Sequence, residues 1–291
     1  MTMLAQLVTG LLFMTKKRKN NSLNIADKNF KKLSIQVSLN GLSFCVADTV
    51  SQKLLLSDRV DFAFEKNPME AKDELQKLFL KHDIENMQFD EVVTVHKNTL
   101  FGLVPKSLFN ANKLNEYLKF NTKILANDIL AYDEVENHDL VVVYVPYTNI
   151  NNYLYDLFGE FHFMHNGTVL LQSLMNNQTQ NQETTCFVHV SKDQLDITVL
   201  NQRKLLLYNS FTYETKEDFT YYLLFVIEQL ELDPKTVVVK LFGDIEEDDE
   251  TYKLCYNYIQ HISIFAPSTQ QLIKLGESTT SSIDFTLINT I

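Results

Sequence analysis

From Leu33 the chain alternates: Leu33, Ile35, Val37 and Leu39 point one way and Ser34, Gln36 and Ser38 the other, the period of a half-buried strand. Asn40-Gly41 follows, a pair suited to the positive φ angles of a tight hairpin turn, and alternation resumes at Leu42, Phe44 and Val46. A third strand is expected over 54–62. Asn67 then reads as the cap, and Pro68 as the first residue, of a helix burying Ala71, Leu75, Leu78 and Phe79. A buried strand over 92–95 and a helix over 107–118 come next.

The order returns after residue 184. Strands are expected over 187–190, 195–200 and 205–211. Thr215 caps a helix with Phe219, Tyr222, Leu223, Val226, Ile227 and Leu230 at i, i+3, i+4, i+7, i+8 and i+11, and Asp233-Pro234 ends it. A strand over 236–242, a helix carrying Thr251, Leu254, Cys255, Tyr258 and Ile259, and a strand over 262–265 complete this half.

The hairpins also align, with IQVSLNGLSF from Ile35 over VHVSKDQLDI from Val188, and KLLL recurs at Lys53 and Lys204. Internal duplication is the expectation; the alternative is that any two amphipathic meanders look alike. Between the halves, the β-branched run 140–145 reads as a strand buried on both faces that completes the first half. A helix over 149–158, a strand over 161–165, a helix over 169–175 and a polar linker over 176–184 follow.

Composition narrows the chemistry. Seven glycines in 291 residues leave few places where backbone N–H groups can close on a phosphate, because any side chain holds the ligand off. Net charge is −11, but residues 1–32 carry +6, leaving −17 for the rest. Nucleic acid is therefore not an expected partner of the acidic body. Cys45, Cys186 and Cys255 sit among apolar residues without metal or redox spacing, which reads as reduced core thiols in a cytoplasmic protein. The apolar stretch before Lys16-Lys17-Arg18-Lys19 has the reverse order of a signal peptide and is too short to span a membrane. Met14 is read as the start, with residues 1–13 a translation artefact; a basic tail touching anionic lipid or RNA is the alternative.

Two copies of a three-stranded meander followed by helix, strand, helix and strand resemble the actin-like ATPase (ribonuclease H-like) architecture. More narrowly, SLNGLSFCVAD and KLLLYNSFTYETKEDFTYYLLFVIEQLELDP resemble a bacterial domain-of-unknown-function family with that fold, over roughly 33–274. The resemblance implies ATP between two halves, an Asp-x-Gly-type hairpin from each half at the phosphates, and a Gly-Gly motif near the adenosine. Each matching place departs. With Gly41 on the motif glycine, Leu39 takes the metal-linked Asp position. Lys192-Asp193-Gln194 has an acid but no glycine, and Ala266-Pro267-Ser268-Thr269 replaces the glycine pair after the last strand. Without that first carboxylate nothing organises Mg²⁺, so ATP hydrolysis is not expected.

Other features read as structural. His162 and His165, three apart on a strand, face opposite sides, and His82, His96, His138, His189 and His261 have no ligand spacing. Asp244, Glu246, Glu247, Asp248, Asp249 and Glu250 read as a solvated cap before a helix, with a divalent-metal site or a dock for a basic partner as the alternatives. Tyr144, Tyr147, Tyr153 and Tyr155, and Tyr252, Tyr256 and Tyr258, read as core and rim or as an interface.

The fold class expected is therefore α/β: two tandem actin-like domains related by internal duplication, each a mixed sheet of an antiparallel meander plus parallel strands, flanked by helices. Residues 1–32 form a basic disordered segment, 33–160 the first domain, 161–184 the connection and 185–291 the second domain. No catalytic, cofactor-binding or metal-binding residue is assigned, and no cofactor. The function expected is a non-catalytic pseudo-ATPase scaffold binding another protein, with no membrane span. A nucleotide-binding switch or small-molecule kinase with divergent motifs, and an accessory factor in RNA or ribosome-related processes, are the alternatives.

Overall fold

The computed structural model describes residues 29–120, 122–125, 127–177, 183–265 and 284–291. Most of the basic N-terminal segment, the middle of the polar linker and Ala266-Pro267-Ser268-Thr269 lie outside the described residues. The chain divides into two compact units: one holds the described residues to Asp133, Val141–Asn166 and the C-terminal residues; the other holds Glu134–Leu140 and the described residues from Gly167 to 265.

In the first unit, β1 (Lys31–Val37) pairs antiparallel with β2 (Gly41–Asp48), and β2 with β3 (Lys53–Asp61). α1 (Pro68–Lys81) follows, and its start is fixed as the sequence demands. Asn67 accepts the N–H groups of Met69 and Glu70, and the Glu70 carboxylate accepts that of Asn67. Its buried face is Ala71, Leu75, Leu78 and Phe79, with the Phe79 ring edge-on to Phe44 of β2. Burial of each large side chain there contributes about 1.5–3 kcal/mol. β4 (Glu91–His96) lies parallel beside β1, and β8 (His162–His165) parallel beside β4, giving the order β3-β2-β1-β4-β8.

Between β4 and β8 the chain builds a separate three-stranded sheet, β5-β7-β6, from β5 (Phe101–Pro105), β6 (Ala131–Glu134) and β7 (Leu140–Tyr144). α2 (Leu114–Leu118) packs its buried Leu118 with Val104, Val141, Val143 and Val145. This corrects two expectations. The five-stranded sheet is completed by β8, not by the β-branched run at 140–145, and residues 107–118, expected as one helix, form short 3₁₀ turns and one helical turn-and-a-half after the strand at 101–105. α3 (Thr148–Phe158) leads into β8.

In the second unit, α4 (Asn166–Asn177, within this unit from Gly167) precedes β9 (Thr185–Val190), β10 (Gln194–Asn201) and β11 (Lys204–Thr212). α5 (Lys216–Gln229) starts with a capping box in which Thr215 and Asp218 satisfy each other's backbone N–H groups. β12 (Val238–Gly243) and β13 (His261–Ile264) flank α6 (Glu250–Tyr256). The sheet order β11-β10-β9-β12-β13 repeats that of the first unit, direction by direction. Its core holds Val188, Ile197, Phe219, Leu223, Val239 and Leu241.

The aligned KLLL strings occupy equivalent irregularities. β3 slips register against Val46 and Ala47, and β11 against Val199 and Leu200, leaving Leu55 and Leu206 exposed in the two slips. The last helical turn, α7 (Phe285–Ile288), packs in the first unit, so the second compact unit stops short of the 185–291 span expected for it.

Candidate functional site

The sequence directs attention to the two hairpins and to the carboxyl ends of the parallel strands, where ligands of open α/β sheets bind. At the first hairpin, the Ser38 N–H donates to the Gly41 carbonyl at 3.0 Å. Ser38 Oγ accepts the N–H groups of Asn40 (3.2 Å) and Gly41 (2.9 Å). After β3 the chain bonds back to the turn, with the Phe62 N–H on the Asn40 carbonyl and the Lys66 N–H on the Leu39 carbonyl, both at 2.8 Å. Neither Asn40 nor Gly41 has a positive φ, which corrects the expected reason for the Asn-Gly pair. The glycine is needed for close approach: a Cβ on Gly41 would lie 2.9 Å from the Val60 carbonyl oxygen.

The second hairpin has the same frame. Ser191 N–H donates to the Gln194 carbonyl at 2.9 Å, and Tyr213 N–H to the Asp193 carbonyl at 3.0 Å, as Phe62 does to Asn40. Gln194 stands in Gly41's place and turns its amide inward to Asp196 Oδ1 at 2.9 Å. Asp196 also receives the Ser210 hydroxyl and lies 3.4 Å from His189 Nδ1. Ser210 is thus bonded to the carboxylate, not to the imidazole, and the group is not a nucleophile with its base.

Gly243, at the end of β12, was not singled out by its sequence context. Its φ is +98°, and a Cβ there would meet the Val190 carbonyl oxygen at 2.3 Å. Asp244 N–H donates to that same oxygen at 2.9 Å. A lone glycine gives no local signal distinguishing strand packing from a ligand turn.

At the carboxyl ends of β4 and β8 the first unit closes on itself. His96 is buried; its Nδ1 accepts the Tyr147 N–H at 3.3 Å, so Nε2 carries the proton and donates to Asn151 Oδ1 at 2.9 Å. Burial, with the neighbouring His165 as a lesser repulsion, pushes its pKa down to about 3. His165 Nε2 lies 3.0 Å from the Asn98 carbonyl, and the His165 N–H donates to Asp133 Oδ2 at 2.8 Å. Tyr144 donates to Asp133 Oδ1 at 3.2 Å, and burial followed by that carboxylate raises its pKa. Next to His96, Lys97 Nζ lies 3.8 Å from Asp284 Oδ2, with side-chain exposures of 6% and 8%. Gln36 donates to the same carboxylate at 3.0 Å, and Thr286 donates to Gln36.

His162 is exposed and His165 buried, as two residues on opposite sides of a strand should be. Parallel pairing does set His165 beside His96, a relation that local spacing cannot show. Among the described residues no group of three His, Cys, Asp or Glu side chains could hold a metal ion. The acidic run precedes α6, but Asp249 at the cap position accepts the Glu246 N–H at 2.8 Å instead of a first-turn N–H, and Glu250 pairs with Lys216 at 2.5 Å. Tyr144 and Tyr147 are buried, while Tyr155, Tyr256 and Tyr258 are exposed. All three cysteines are buried and free, and burial pushes the Cys45 and Cys186 thiols up to about 12. No helix among the described residues is long and apolar enough to cross a membrane.

Two mixed five-stranded sheets of identical order, each opened by a meander hairpin, are the framework of the actin-like ATPase fold, and solved structures agree. A protein with actin-like ATPase fold and unknown function from Bacteroides thetaiotaomicron VPI-5482 is 21% identical, with 93% of this chain and 100% of that one covered at a TM-score of 0.76. A chain of the PilM–PilN type IV pilus biogenesis complex is 12% identical, with 88% and 96% covered at a TM-score of 0.58. Residues 20–262 match the model of a protein family of unknown function, DUF3822, and the chain belongs to that family. No curated protein matches it in sequence.

Proposed function

We propose that this protein is a non-catalytic member of the actin-like fold that serves as a scaffold for another protein. The observation that carries the reading is the first hairpin: Ser38 Oγ takes the Asn40 and Gly41 N–H groups that a phosphate would need, and Leu39 offers no carboxylate for a metal. The residues present do not fit a magnesium-bound triphosphate. Gln194 adds to this, standing where the first hairpin has its glycine and committing its side chain to Asp196. The PilM–PilN structure is a protein complex on the same fold, in keeping with a protein partner here.

The test is magnesium-dependent ATP turnover together with thermal shift against a nucleotide panel. No turnover and no nucleotide-dependent stabilisation are expected. Turnover that is lost in Asn40→Ala or Asp193→Ala would overturn the proposal.

A further inference from the structure

β1 and β2 share one polar side: Ser34 and Gln36 alternate with Leu33, Ile35 and Val37 and pair with Cys45 and Ser43. A meander ordinarily leaves such a side to water, yet all four residues are buried. The equivalent side of the second unit's sheet carries Phe187 and Phe242, also buried, and rings of that size need a permanent cover. Ser34, Gln36 and Ser43 do not.

The element packed on β1 is α7, four helical residues whose Phe285, Leu287 and Ile288 are buried. A helix of that length has no stability of its own. Its polar anchor is also incomplete. Gln36 donates to Asp284 Oδ2 at 3.0 Å, but Lys97 Nζ stands 3.8 Å from that oxygen, outside the roughly 2.7–2.9 Å of a charge-assisted hydrogen bond. Asp284 Oδ1 is occupied by the turn's own Thr286 N–H at 2.8 Å. Residues 266–283 join α7 to the end of the second unit, a tether long enough for the turn to leave its seat.

We propose that α7 is a displaceable stand-in, and that its seat on β1 and Lys97 docks a segment of the partner protein in which a carboxylate precedes an apolar turn. The buried ammonium of Lys97 sets the charge of the occupant, Gln36 supplies its hydrogen bond, and α7 itself shows the apolar form that the seat accepts. A carboxylate that reaches Lys97 at hydrogen-bond distance outcompetes Asp284. The inference rests on the scaffold reading and names the surface through which the scaffold acts.

The probe is a fluorescein-labelled peptide of residues 281–291, titrated into the full chain and followed by anisotropy. The wild type should bind it weakly, because α7 competes from within the same chain. Asp284→Asn should bind it about tenfold or more tightly. A peptide carrying the same Asp284→Asn change should lose that gain, and the unlabelled peptide should raise the melting temperature of the Asp284→Asn chain. A second measurement needs no variant. In the wild type the amides of Asn289 and Thr290, bonded to the Phe285 and Leu287 carbonyls, should exchange with solvent about a hundredfold or more faster than those of β1. Equal protection of α7 and β1, or peptide binding no tighter in Asp284→Asn than in the wild type, overturns the proposal. A wild-type dimer that the peptide dissociates also overturns it, by giving the seat to a second copy's tail. Those failures leave the scaffold reading standing, whereas ATP turnover would remove that reading without altering peptide binding.

Discussion

Replacing His96 by glutamine should remove a defined share of the protein's acid sensitivity. In the folded chain the ring is buried and neutral, with Nδ1 accepting the Tyr147 N–H and Nε2 donating to Asn151. Its pKa is about 3 against an ordinary value of 6.5. Above that ordinary value neither state is protonated and the residue adds no pH dependence. Below it the unfolded chain takes up a proton that the folded chain refuses, so stability falls as pH falls, until the folded pKa near 3 is reached. The slope in that window is about 1.4 kcal/mol per pH unit, so at about pH 5 the loss is roughly 2 kcal/mol. Glutamine can donate to Asn151 and accept from Tyr147 but does not titrate. Its repacking cost is the same at both pH values and cancels. Lowered carboxylate pKa values, such as those of Asp58 and Asp218, also weaken the fold in acid, but equally in both proteins. Urea unfolding at about pH 7.5 and pH 5, followed by circular dichroism with the m-value checked for constancy, measures the difference. The wild type should lose roughly 2 kcal/mol more than the variant on acidification. Parallel losses would show that His96 is protonated in the folded state and that the assigned hydrogen-bond roles are wrong.

Two further outcomes follow from the strand ends. Gly243→Ala forces a Cβ against the Val190 carbonyl oxygen at 2.3 Å on a backbone with φ of +98°, and should cost roughly 2 kcal/mol or more in a denaturant titration; a change within about 0.5 kcal/mol would mean β12 can shift freely. Lys97→Met leaves Asp284 charged and buried and should cost about 3 kcal/mol, whereas Lys97→Met with Asp284→Leu should recover much of that loss; a double variant no more stable than the single would show that Asp284 is held chiefly by Gln36 and Thr286.

The parts of the fold legible in the sequence are those whose signal is local. Period-two strands, the capping boxes at Asn67 and Thr215, and the matched hairpins at Ser38 and Ser191 all stand where periodicity and caps put them. What escaped was settled by distant partners. Residues 101–105, FGLVP, are too short and glycine- and proline-marked to read as a strand alone, and become one by pairing with β7. The run at 140–144 has the composition of a buried strand, but composition cannot say which sheet receives it. At the candidate site the missing carboxylate at Leu39 and missing glycine at Gln194 were visible directly. The capture of hairpin N–H groups by Ser38 and the meeting of Lys97 with Asp284 were not, since neither follows from residue type or spacing.

The first unit is assembled from separated stretches of chain, and that imposes an order on its birth. Gln36 leaves the ribosome 248 residues ahead of Asp284, the residue it binds. Until then β1 lacks the helical turn Phe285–Ile288 that packs on it, and Lys97 lacks the Asp284 carboxylate. The second unit's sheet, drawn from residues 185–264, has all its strands earlier. Vectorial synthesis would therefore supply every strand of the later-encoded unit's sheet before the first unit receives its closing segment.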